Sequence, residues 1–172
     1  MKKYLAPLVA GFSIGVIENV PVLGNMACCI LLPLASYYAL VLDQKANKNY
    51  DYIPYSKGLL FGFLTGVFAT AFGSLIDLLL TYVFKSNNFT VVANEFVKSL
   101  QDFPLDAQLK KQMTDTLLKA KDDIATYGFS FFYAVIFTLD QLFINSIFGS
   151  IGGLVGTKLI NSSKDRNLNN PN

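Results

Sequence analysis

The 172-residue chain has no histidine, no tryptophan, only two cysteines and only 15% charged residues, against roughly 25% in an ordinary soluble domain. Without histidine, His-dependent catalytic triads, His-ligated metal sites and the commonest proton shuttle are excluded. Cys28 and Cys29 are adjacent within an apolar run, so they cannot close a loop as an ordinary disulfide framework does. The 14 basic residues are scattered and net charge is +2, which gives no clustered basic face for nucleic acid. The sequence implies no cofactor and no metal.

What is present is apolar and segregated. Apolar residues make up 52% of the chain. Residues 4–42, 58–84 and 128–157 hold three charges between them, Glu18, Asp77 and Asp140. Runs of this length read as membrane spans, because about 20 helical residues cross a hydrocarbon core of about 30 Å. Met1-Lys2-Lys3 before an apolar stretch resembles the opening of a secretory signal, but no small-x-small cleavage pattern follows, so the first apolar segment is expected to remain as a span.

The expected architecture is all-α: a polytopic membrane protein of four transmembrane helices in two hairpins. Tyr4–Leu42 is too long for one crossing and long enough for two if the chain reverses at Glu18-Asn19-Val20-Pro21. Spans are placed at about 4–20, 22–42, 58–84 and 129–157, in a single membrane domain covering 1–160, followed by a disordered polar tail at 161–172. Pro33 removes an amide donor and crowds the carbonyl of Cys29, so a kink near the two cysteines is expected. Lys2, Lys3, Lys45, Lys48, Lys57, Lys158, Lys164 and Arg166 flank what would be the inner ends, which puts both termini in the cytoplasm.

Between the third and fourth spans, Val92, Phe96, Leu100 and Phe103, then Leu105, Leu109, Met113, Leu117 and Ile124, recur at spacings of three and four. This periodicity predicts two amphipathic helices over 90–124, separated at Pro104, able to cap the bundle, lie in the headgroup layer or dock a partner. Within the spans, small residues recur every four positions: Gly11 and Gly15; Gly58, Gly62 and Gly66, continued by Thr70 and Ser74; Gly149 with Gly153 and Gly152 with Gly156. Such stripes let two backbones approach closely, within the chain or between copies.

Acids inside spans are costly and mark candidate function. Counted from the inner ends at about 1.5 Å per residue, Glu18, Asp77 and Asp140 lie roughly 21, 28 and 27 Å deep. Asn19, Asn25 and Gln141 fall near that level and Asn145 somewhat deeper. The three acids form a candidate ion or proton layer, the alternative being that the spans end earlier and the carboxylates meet interfacial water. Paired aspartates on successive spans also raise intramembrane proteolysis, but neither a Tyr-Asp nor a Gly-x-Gly-Asp setting is present.

Pro-x-x-x-Asn-x-x-Cys-Cys at 21–29, the Ile53-x-Tyr-x-x-Gly-x-x-x-Gly-x-x-x-Gly run through Gly66, the amphipathic insertion and the glycine-rich last segment resemble uncharacterised bacterial four-span membrane proteins of unknown function, of the kind common in Bacteroidetes. The resemblance implies a bacterial inner membrane and a four-helix layout. Pro33-Leu34-Ala35 stands where many such proteins carry a glycine pair. The functional expectation is a non-enzymatic membrane interaction or assembly component in the lipid bilayer, meeting a second copy or a membrane protein partner through the glycine stripes or helices 90–124. The alternative is a small oligomeric transporter or channel using the acidic layer.

Overall fold

The computed structural model describes residues 4–20, 27–85 and 87–169. Six α-helices lie among them: α1 (Leu5–Glu18), α2 (Leu32–Asn47), α3 (Tyr55–Phe84), α4 (Asn88–Asp102), α5 (Ala107–Tyr127) and α6 (Phe131–Asn169), with a π-helical turn at Ala27–Leu31 leading into α2. The protein is all-α, but the four-span, two-hairpin layout is not what forms. Among the described residues, only α3 and the Phe131–Arg166 part of α6 are long and apolar enough to cross a bilayer.

The first apolar stretch fails to give two spans for physical reasons. At about 1.5 Å per residue, the 14 residues of α1 reach roughly 21 Å, short of a hydrocarbon core of about 30 Å. The second segment is broken. Pro33 has no amide to offer the Cys29 carbonyl, the chain runs as a π turn through Leu31, and α2 ends in the polar residues Asp43, Gln44, Lys45 and Asn47. Asn19 and Val20 follow α1 as a turn, whereas Pro21 and the start of the expected second span lie outside the described residues. α6 runs helical through Asn161 to Asn169, the stretch the sequence reads as a polar tail.

The chain divides into two compact units, Met1–Ile76 with Thr138–Asn172, and Asp77–Phe137. The first is built on small residues. A Cβ on Gly11 would lie 2.7 Å from the Thr65 carbonyl oxygen, and one on Gly15 2.7 Å from the Gly73 nitrogen, so α1 rests directly on the α3 backbone. Gly58, Gly62 and Gly66 face Gly153, Gly149 and the Asn145 backbone of α6, while Gly152 and Gly156 face Pro33 and Tyr37 of α2. Ala10, Ala39, Leu40, Ile53, Phe61 and Ile160 fill one apolar core cluster, and Ile14, Leu32 and Ala69 another.

The polarity of this unit is inverted relative to a water-soluble bundle. Leu5, Val9, Phe12 and Val16 share the exposed face of α1, and Leu59, Leu60, Phe63, Ile147, Ile151, Val155 and Leu159 are exposed on α3 and α6. Ser36, Thr65, Thr70, Ser74, Asn145 and Thr157 are buried. Thr65, Ser36 and Thr157 satisfy their hydroxyls on the carbonyl four residues earlier, the arrangement a helix uses when no water is at hand. Large apolar side chains outward and hydroxyls inward is the order that hydrocarbon selects.

The second unit uses different devices. Asn87 caps α4, its Oδ1 accepting from the Thr90 amide at 3.0 Å while the Thr90 hydroxyl oxygen accepts from the Asn87 amide at 3.2 Å, a reciprocal capping box. Asp106 caps α5 through the Gln108 amide at 2.9 Å. Gly128 ends α5 at φ 73°, a left-handed conformation natural to glycine. Ala93, Leu100, Ala120 and Ile124 are buried, and the Tyr133 ring lies 5.3 Å from both Phe89 and Phe137.

Candidate functional site

Each acid expected in the apolar layer has a different environment. Glu18 is the last residue of α1, and both its carboxylate oxygens are buried without a hydrogen-bond partner. Oε2 lies over Gly73 of α3, where a Cβ would sit 2.8 Å away, so glycine there makes room for the carboxylate. The Asn145 side chain of α6 faces the same carboxylate. Asn19, next along the chain, donates Nδ2 to the carbonyls of Gly15 at 2.8 Å and Gly73 at 3.1 Å. That bond fixes the end of α1 against α3.

Asn145 donates Nδ2 to the Thr70 hydroxyl oxygen at 3.3 Å. Its Oδ1 is buried and unpartnered, as is Ser74 Oγ. Thr70, Gly73 and Ser74, at relative positions zero, three and four, occupy one face of α3. The first unit therefore contains a buried polar level built by three helices: Glu18 from α1, Thr70 and Ser74 from α3, and Asn145 from α6.

Asp77 belongs to the second unit, where Tyr133 donates its hydroxyl to Oδ2 at 2.8 Å. Asp140 is in the first unit and exposed. Among the described residues no hydrogen bond or ion pair joins any two of Glu18, Asp77 and Asp140, and no group of three or more Asp, Glu or Cys residues is placed to hold a metal ion. Asn25 lies outside the described residues.

A second polar cluster, which the sequence reading missed, ties the loop between α2 and α3 to its neighbours. Lys57 pairs with Asp43 at 2.6 Å, and Asp43 is 4% exposed. Asn47 Nδ2 adds a bond to Asp43 Oδ1 at 2.8 Å. Asn161 of α6 holds the Ile53 backbone at both ends, accepting from its amide and donating to its carbonyl, each at 3.0 Å. Tyr52 donates its hydroxyl to Asp165, and this bond raises the Tyr52 pKa above the usual phenol value. The available signal was that Asp43 and Lys57 close the two flanking apolar runs. For Tyr133, no spacing in the sequence pointed to Asp77.

On the second unit, Phe96, Phe103, Leu105 and Leu109 are exposed around the turn between α4 and α5. Lys110, Lys111, Thr114, Asp115 and Ala107 line a shallow cavity of about 280 Å³ on α5.

No curated protein and no solved structure matches this chain. The membrane-like character of α3 and α6 and the glycine-rich packing accompany a match over residues 3–158 to the family described as Protein of unknown function (DUF4199), and the chain belongs to that family.

Proposed function

We propose that the protein is a non-enzymatic component of a bacterial inner membrane that serves interaction or assembly, with the α4–α5 helices as its contact surface for a membrane protein partner. The reading is carried by the apolar turn of that pair. Phe103 is 58% exposed and Phe96 52%, on helices otherwise capped and packed, and exposed aromatic side chains grouped in this way are characteristic of interaction sites. The glycine stripes are occupied within the chain, which favours the α4–α5 surface over the stripes as the docking element. Cytoplasmic termini are supported by the basic residues Lys57 and Lys164, which flank the α2–α3 loop and the end of α6. With two crossings, the segment between them lies on the outer side.

The test places a photoreactive side chain at position 103 of the full-length protein in native membranes. The expected outcome is a discrete protein adduct that disappears when Phe96→Asp and Leu109→Asp are introduced. Adducts to lipid alone, to a second copy of this chain, or to no species would overturn the reading.

A further inference from the structure

We infer that Glu18, Thr70, Ser74 and Asn145 form a binding site for one hard monovalent cation. The argument begins with donors and acceptors. Glu18 Oε1 and Oε2, Asn145 Oδ1 and Ser74 Oγ are all buried and all lack a partner. Asn145 is 0% exposed and Ser74 5%, so water does not satisfy them from outside, and buried polar atoms in folded proteins are otherwise nearly always paired. Three of the four orphans can only accept when Glu18 is ionised, and the donors at this level are few: the Ser74 and Thr70 hydroxyls and the second N–H of Asn145, whose first is spent on Thr70 and which faces Glu18. The lone pairs of two carboxylate oxygens and an amide oxygen outnumber those donors, so the level has an excess of oxygen acceptors that a cation can use.

The placement agrees with this. The Glu18 oxygen over Gly73 and the Asn145 side chain on Thr70 converge on one face of α3, within a turn of each other and beside Ser74. Glu18 also ends α1, where the helix dipole presents its negative pole. No lysine or arginine occurs between residues 4 and 44, 58 and 84, or 128 and 157, so the chain supplies no cation of its own along these stretches. One carboxylate with neutral carbonyl and hydroxyl oxygens is an all-oxygen, singly charged donor set, suited to a hard ion of charge one. Asp77, the one acid of α3, is bonded to Tyr133, and Asp140 of α6 is exposed; neither joins the set.

The experiment follows thermal unfolding of the full-length protein in lipid nanodiscs, in sodium or potassium chloride against choline chloride at equal ionic strength. Binding to the folded state raises the midpoint in a saturable way. Wild type is expected to respond to sodium or potassium and not to choline, Glu18→Gln to lose the response, and Ser74→Ala, which keeps the charge, to need a roughly tenfold higher salt concentration for half-saturation. Equilibrium binding of radioactive sodium or a potassium tracer to wild type should saturate near one ion per chain. Identical midpoints in all three salts, a Glu18→Gln response equal to wild type, an unshifted Ser74→Ala response, or a midpoint that follows pH while ignoring both metal ions would each overturn the inference.

Discussion

The two units solve the same problem in opposite ways. In residues 1–76 with 138–172, helices meet backbone to backbone, glycine against glycine, with hydroxyls and an amide buried and large apolar side chains facing out. In residues 77–137, helices begin at side-chain caps, end at a left-handed glycine and bury an aromatic stack. Apolar burial drives association in water and loses that role in hydrocarbon, where close packing and hydrogen bonding hold helices together. The contrast fits the membrane-spanning character of α3 and α6 on one side and conventional helix-end chemistry in α4 and α5 on the other.

The comparison breaks most easily at the glycines. Gly62→Val puts a branched side chain into the Gly149 carbonyl, where backbone rather than a flexible tip must yield, and is expected to destabilise the first unit by about 3 kcal/mol or more. Hydrogen exchange of full-length protein in nanodiscs should show lost protection in α3 and α6 near the substitution, with the caps of α4 and α5 still protected. The same variant with unchanged exchange would remove the packing argument.

A smaller change sharpens the other side. Asn87→Ala deletes the side-chain half of the capping box, the bond that Oδ1 accepts from the Thr90 amide, and keeps the backbone half; it is expected to cost about 1 kcal/mol, seen as faster exchange over the first turn of α4. Protection between Gly58 and Gly66 should not change.

What the residues disclosed depended on how local the cause was. The α4 and α5 helices follow from apolar spacing and the break at Pro104, all within one segment, and the ends at Asp102 and Ala107 bracket that proline. The layout of residues 4–42 did not follow, because hydropathy counts apolar residues and does not register that α1 stops at Glu18 or that helix geometry changes before Pro33. The polar level was half visible. Glu18 and Asn145 stood out as polar residues in apolar runs, whereas Thr70 and Ser74 looked like members of a small-residue stripe. Their meeting depends on partners far along the chain, Asn19 with Gly73 and Thr70 with Asn145. Nothing in sequence spacing sets Asp77 on Tyr133.

Alkaline carbonate extraction of membranes from cells making the full-length chain tests the assignment of lipid as solvent most directly. Retention of the protein in the sedimented bilayer, released only by detergent, is the expected result. Quantitative release into the carbonate supernatant as a monodisperse species would contradict it, because the outward Leu, Ile, Val and Phe side chains of α1, α3 and α6 would then be facing water.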